Sequence, residues 1–356
     1  MKEQEKQRVR WYRTRLDRGV LAALNRRSDP LGFAQTLGFL GVLAATGAAA
    51  WYASVQLSWP WFALGLFVHG TCYAFIINGF HELCHSSVFR TQWLNVFFLH
   101  VLSFLGWYNP VHFWASHSEH HKYALHVPED GEVVLPVFIT LKGYLKAALV
   151  NLTGMYQRWK GTIRRGVFGR LAPGWESILF PPENVDGRRR LFRWDRIQLL
   201  LHASLVATSL YFGWWQLIVL VTMGSLYGNW LFLLCNSSQH IGLTDEVPDF
   251  RLNSRTFTLN PVVRFLYWHM NFHIEHHMYA AVPCYRLGAL HRAIRHDLPH
   301  CPEGLIATWR EIAEIQNRQK AAPDYQFTPE LPATAEADLS PLAAIGERGT
   351  LDDFGR

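Results

Sequence analysis

Two stretches of this chain contain no Asp, Glu, Lys or Arg: the residues between Asp29 and Glu82, and those between Arg196 and Asp245. A helix needs roughly 20 apolar residues to cross a hydrocarbon core of about 30 Å, and its backbone polar groups must be satisfied internally. Each stretch is long enough for two spans, so each reads as a helical hairpin. The first pair lies near residues 33–56 and 60–80, turning at Ser58, Trp59 and Pro60. The second lies near 197–212 and 215–236, turning at Gly213 and Trp214. A buried hairpin in a soluble core would need a polar shell that a chain with 49% hydrophobic residues lacks.

The net charge of +6 does not point to nucleic acid, because the basic residues gather at the ends of the apolar stretches. Lys2, Lys6, Arg8, Arg10, Arg13, Arg15, Arg18, Arg26 and Arg27 precede the first hairpin. A second group, from Arg158 to Arg196, precedes the other, and neither tight turn carries Lys or Arg. The positive-inside rule then sets both termini and the middle segment on the cytoplasmic side of four spans. Trp51, Trp59, Trp61, Trp214 and Trp215 stand at span ends, as an aromatic belt does. No short apolar run with a small-residue cleavage site opens the chain. The five cysteines show no CxxC pair and read as free thiols in a reducing compartment.

Three segments divide the chain: a basic start (1–30), a membrane domain (31–320), and a tail (321–356) rich in Ala, Pro, Glu and Asp that reads as disordered. The run from Trp93 to Trp107 is too short to span and reads as interfacial or re-entrant, which keeps the motifs on either side of it at one face. Val133 to Leu152, interrupted by Pro136, Lys142 and Lys146, reads as an amphipathic helix on the membrane surface. Leu305 to Gln319 reads as a surface helix, with Ile306, Trp309, Ile312 and Ile315 at three-residue steps.

The chemistry lies in the histidines. Of eighteen, half fall into four groups. His81 and His85 stand in His-Glu-Leu-Cys-His, and His117, His120 and His121 in His-Ser-Glu-His-His. His273, His276 and His277 stand in His-Ile-Glu-His-His, and His240 follows Asn236 by four residues. Residues at i, i+3 and i+4 share a helix face, so each group aims its imidazoles together. Neutral imidazole suits iron, zinc, copper or nickel, and nine ligands exceed one tetrahedral ion but serve two. The hairpins bring all four groups to the same membrane face.

These boxes resemble those of the membrane fatty acid desaturase and hydroxylase superfamily, whose pattern is one HxxxH and two HxxHH. The resemblance covers roughly residues 31–300. It implies an all-α integral membrane fold with a cytoplasmic cap. It also implies two irons held by His81, His85, His117, His120, His121, His240, His273, His276 and His277, with Asn236 acting through water. Oxygen is the implied co-substrate, a lipid or acyl chain the substrate, and electrons come from a separate ferredoxin- or cytochrome-type carrier. The chain agrees, having no Gly-rich dinucleotide fingerprint and no haem or Fe–S cysteine spacing. Arg188 to Arg196 could dock such a carrier, although orientation already explains them. The first box has three intervening residues where acyl-CoA enzymes have four, which favours the acyl-lipid and hydrocarbon-oxidising branches.

Desaturation is therefore the first reading, with hydroxylation of a lipid or hydrocarbon chain as the alternative. His81-Glu82-x-x-His85 also matches the HExxH of zinc peptidases, but that leaves seven clustered histidines unused; a non-catalytic metal protein is a fourth reading. Glu119 and Glu275 point away from their own histidines on a helix, and either they or Glu82 could accept an imidazole N–H from a neighbouring helix. The alternative is a solvated carboxylate. His112 and His269 read as ordinary polar contacts, His69 and His202 as hydrogen bonds within the bundle, and His100, His126, His291, His296 and His300 as surface or interfacial.

Overall fold

The computed structural model describes residues 9–333, and within them every regular element is helical. Ser28 caps helix α1 (Asp29–Gln56) by accepting from the Leu31 amide, and Pro30 sits in its first turn. After a bend at Leu57 and Ser58, α2 (Trp59–Tyr73) returns antiparallel to it. A turn at Ala74 and Phe75 separates α2 from α3 (Ile76–Cys84), which carries the first histidine box. Asp29–Gln56 and the run Trp59–Cys84 are each long and apolar enough to cross a membrane.

Helix α4 (Gln92–Gly106) is too short to cross, as its sequence indicates, and packs along α3 with Phe98, Leu99 and Leu102 buried. Trp107, in the left-handed region at φ 58°, ends it. Asn109 then caps the Val111 and His112 amides and Pro110 opens α5 (Pro110–Tyr123), which carries the second box.

The second apolar stretch differs from its sequence reading. Helix α6 (Val185–Tyr211) starts well before residue 197 and includes Arg188 to Arg196. The expected fourth span, 215–236, is not one helix. It is a single turn at Trp215–Leu217, a π-turn at Ile218–Thr222, a 3-10 turn at Gly224–Leu226, and then α7 (Trp230–Ser237). The chain after these turns packs closely against α2. Gly228 takes φ +73°, and a Cβ on Gly70 would stand 2.5 Å from the Tyr227 carbonyl oxygen.

The carbonyls released by the break are capped by side chains. Tyr227 Oη donates to Val219 O at 3.0 Å, and His69 Nε2 lies 3.1 Å from Leu220 O. Tyr73 Oη reaches Val221 O at 2.9 Å, and Trp107 Nε1 donates to Thr222 O at 2.9 Å. Irregular backbone is tolerated in an apolar layer only where its polar groups are satisfied in this way.

Of the surface helix expected over 133–152, only Leu141–Leu149 forms, with a second helix at Leu152–Gly166. The helix Gly304–Ala321 buries Ile312 and Ile315, but Ile306 is exposed. Beyond it the chain, expected to be without structure, turns back: the Phe327 amide donates to Gly242 O at 2.8 Å and Gln326 Nε2 to Asp245 Oδ1 at 2.6 Å. Lys2, Lys6, Arg8 and residues 334–356 lie outside the described residues. The five cysteines are free.

Candidate metal centre

The four histidine groups meet. Five side chains, His81, His85, His117, His121 and His276, place one ligand nitrogen each within 4.8 Å of one another. Four more, His120, His240, His273 and His277, do the same beside them. The second and third boxes are therefore each split between the two clusters. In each, the i and i+4 residues stay together and the i+3 residue, about 100° of helix rotation from i+4, joins the other cluster.

Within each cluster the Nε2 atoms face one another. His81 to His117 is 2.7 Å, His117 to His121 is 3.0 Å, and His121 to His276 is 3.2 Å. In the other cluster, His240 to His273 is 2.9 Å and His273 to His277 is 3.1 Å. Two imidazole nitrogens about 2.1 Å from one ion, at right angles to each other, stand about 3.0 Å apart. The spacing is that of ligands sharing a cation.

The outer nitrogens explain which atoms face inward. His120 Nδ1 donates to Asp130 at 2.8 Å and His117 Nδ1 to Glu132 at 2.9 Å. His240 Nδ1 donates to the Asn253 carbonyl at 2.8 Å, and His81 Nδ1 to Glu82 at 3.0 Å. A proton fixed on Nδ1 leaves a bare lone pair on Nε2. The His81 and His117 Nε2 atoms come closest, 2.7 Å apart, turned toward a common point. His85 Nε2 and the Nδ1 atoms of His273, His276 and His277 are buried without a hydrogen-bond partner, so polar capacity is in surplus at this place. Two cations fit this donor set.

Several residues differ from their sequence reading. Asn236 is exposed, at the end of α7 and four residues before His240. Glu82 does serve an imidazole, but that of its own box, His81; His276 Nδ1 lies 3.6 Å away, beyond hydrogen-bond reach. Its 1% exposure and its contact with His81 Nδ1 do not suit the water-activating Glu of a peptidase. Glu119 pairs with Lys122 at the surface. Glu275 is fully buried, yet it accepts from His291 Nδ1 and Thr256 Oγ1, each at 2.5 Å, rather than from a box histidine. His291 is therefore internal rather than a surface residue. His112 lies 3.7 Å from Glu176, outside both clusters, and His269 is half-buried at φ +59°. His202 stacks on Trp107 and bonds to Phe104 O within the bundle.

Asp130 and Glu132 have no counterpart in the sequence reading. The signal lay in the acidic turn Pro-Glu-Asp-Gly-Glu that follows the second box. Asp130 is buried and its Oδ2 also accepts from the Leu125 amide, so the turn itself orients the box. Burial alone would raise its pKa; the His120 hydrogen bond and charge, with the backbone N–H donors, bring it down to about 2.

A cavity of about 650 Å³ opens beside α2, lined by Leu43, Gly47, Ala48, Trp51, His69 and Tyr73 among others. It is almost wholly apolar. None of the nine clustered histidines lines it.

Comparison with curated proteins gives no match. A family model described as Fatty acid desaturase matches residues 57–309, about seven-tenths of the chain, including all nine clustered histidines. On that match, over a site whose geometry suits two cations, the chain belongs to the fatty acid desaturase family.

Proposed function

We propose that the protein is an integral membrane di-iron oxidoreductase that uses oxygen to insert a double bond into the acyl chain of a lipid. The observation that carries the reading is the division of nine imidazoles into five and four, with Nε2 atoms facing one another at 2.7–3.2 Å. His81, His85, His117, His121 and His276 would hold one iron and His120, His240, His273 and His277 the other. When bound, the irons supply the oxygen activation that breaking an unactivated C–H bond needs and no side chain provides.

The chain's own residues do the positioning. Asp130, Glu132, Glu82 and the Asn253 carbonyl fix the tautomers and ring planes of four ligands. Membership of the fatty acid desaturase family favours a lipid over a polar substrate. Electrons come from a separate carrier protein.

In this reading α1 and α2–α3 form the first membrane hairpin. The C-terminal half of α6 and the broken 215–237 segment form the second, with both termini and the histidine clusters on the cytoplasmic side. Capping of the broken segment's carbonyls supports its place in the apolar layer.

The test is expression of the full chain with an electron donor, followed by mass spectrometry of total lipid. A product two hydrogens lighter is expected. A product one oxygen heavier makes it a hydroxylase, and a purified protein holding one zinc and no iron would sink the di-iron reading.

A further inference from the structure

The N-terminal arm reaches the metal site through a stack of aromatic rings. Trp11 is 8% exposed and lies flat on Phe250, with centroids 4.0 Å apart and planes 11° from parallel. Phe250 in turn stacks on His277, at 5.0 Å and 29°. Trp11 Nε1 also donates to the Lys122 carbonyl at 2.8 Å, one residue beyond the second box. Two independent contacts therefore join this one indole to segments bearing ligands of both clusters.

The arm is fixed rather than draped. Tyr12 Oη and Thr14 Oγ1 both donate to Asp297 Oδ2, at 2.7 and 2.5 Å. Arg251, itself 1% exposed, bonds to Asp297 Oδ1 and Asp249 and lies 3.7 Å over the Tyr12 ring. A polar lock of this size holds the Trp11 ring in one place. Around it the outer surface is basic: Arg10, Arg15, Arg18 and Lys122 are exposed. In the run suggested by sequence, Arg188, Arg189 and Arg196 bond to Phe180 O, Asp186 and Gly166 O, and Arg190 and Arg193 are exposed.

We propose that the arm is the landing site of an acidic one-electron carrier protein, and that Trp11–Phe250–His277 is the route by which its electrons reach the metals. This rests on the di-iron reading above. Each transfer oxidises the carrier by one electron and reduces one ferric ion to ferrous; no bond changes and no proton travels the route. Ring-to-ring contact matters because electronic coupling decays steeply across gaps.

The test uses the full-length, iron-loaded protein in nanodiscs, reduced anaerobically by an acidic plant-type [2Fe–2S] ferredoxin and separately by dithionite. The rate is followed optically, and ferredoxin binding is measured at low and high salt. Trp11→Leu should slow reduction by ferredoxin on the order of tenfold, a loss of about 1.4 kcal/mol in the barrier scale. Iron content and reduction by dithionite should not change. Trp11→Phe should keep most of the rate, and Phe250→Leu should repeat the defect with the arm intact. Arg10→Glu should weaken binding at low salt and lose its effect at high salt. Equal rates for wild type, Trp11→Leu and Phe250→Leu with ferredoxin would overturn the route. A wild type that binds no iron would overturn the functional reading first, and dithionite distinguishes that failure from failure of the route.

Discussion

Asp130 holds His120 by a 2.8 Å hydrogen bond to Nδ1, while its second oxygen accepts the Glu132 amide at 2.8 Å. The carboxylate is thereby anchored to its own loop and imposes one tautomer on the imidazole. Replacing Asp130 by Asn keeps the shape and removes the charge. Iron affinity should fall about 10–100-fold, the usual cost of losing such a partner, as measured by competition with a chelator. Unchanged affinity would show that the turn only shapes the backbone.

His276 and His120 test the division into two clusters, because each belongs to one of them. His276→Ala and His120→Ala should each abolish product and lower iron per chain. Retained activity in either would overturn the site assignment.

The protein freed of metal should lose stability on acidification. Burial first, and then repulsion among neighbouring imidazoles, holds His117, His121, His273, His276 and His277 well below the ordinary imidazole value, and His240 at about 3. Only His120 is raised: burial opposes it, but Asp130 outweighs burial. The unfolded chain therefore binds more protons than the native one below the ordinary value of about 6.5, so native stability falls as pH drops through that value. Melting temperature of the chelated protein should fall steadily from pH 7 to pH 5. A flat profile would mean that these rings are not buried in the neutral form.

Gly70 is where α2 admits the backbone of residues 227 and 228. Its added methyl would meet a carbonyl oxygen at 2.5 Å, and backbone cannot swing aside as a side chain can. Gly70→Ala should destabilise the fold by about 1–3 kcal/mol, the range for overpacking. The readout is the thermal stability of the detergent-solubilised protein beside Gly41→Ala, where a Cβ meets nothing within 4 Å.

The histidine clusters were legible in the sequence because helical spacing converts i, i+3, i+4 into a shared direction, and the boxes fold as helices. What supports them was not. Asp130 and Glu132 act across a turn whose return path no periodicity encodes, and the Asn253 carbonyl carries no residue-type signal at all. The chain after the break in the second apolar stretch packs against Gly70 on another helix, and hydropathy alone reads the stretch as continuous. Asn236, assigned by resemblance, is exposed four residues before His240.

The capping of residues 219–222 also bears on how mutational data should be read. Tyr73, Trp107 and His69 come from distant parts of the sequence and Tyr227 from the same segment, and each gives a polar atom to main-chain oxygen. Substitutions there will strongly impair the enzyme, and those at His69 and Tyr73, which line the apolar cavity, will imitate a substrate pocket. Their common effect will be on the path of the chain leading to His240, so phenotypes from all four should resemble one another whatever lipid is offered.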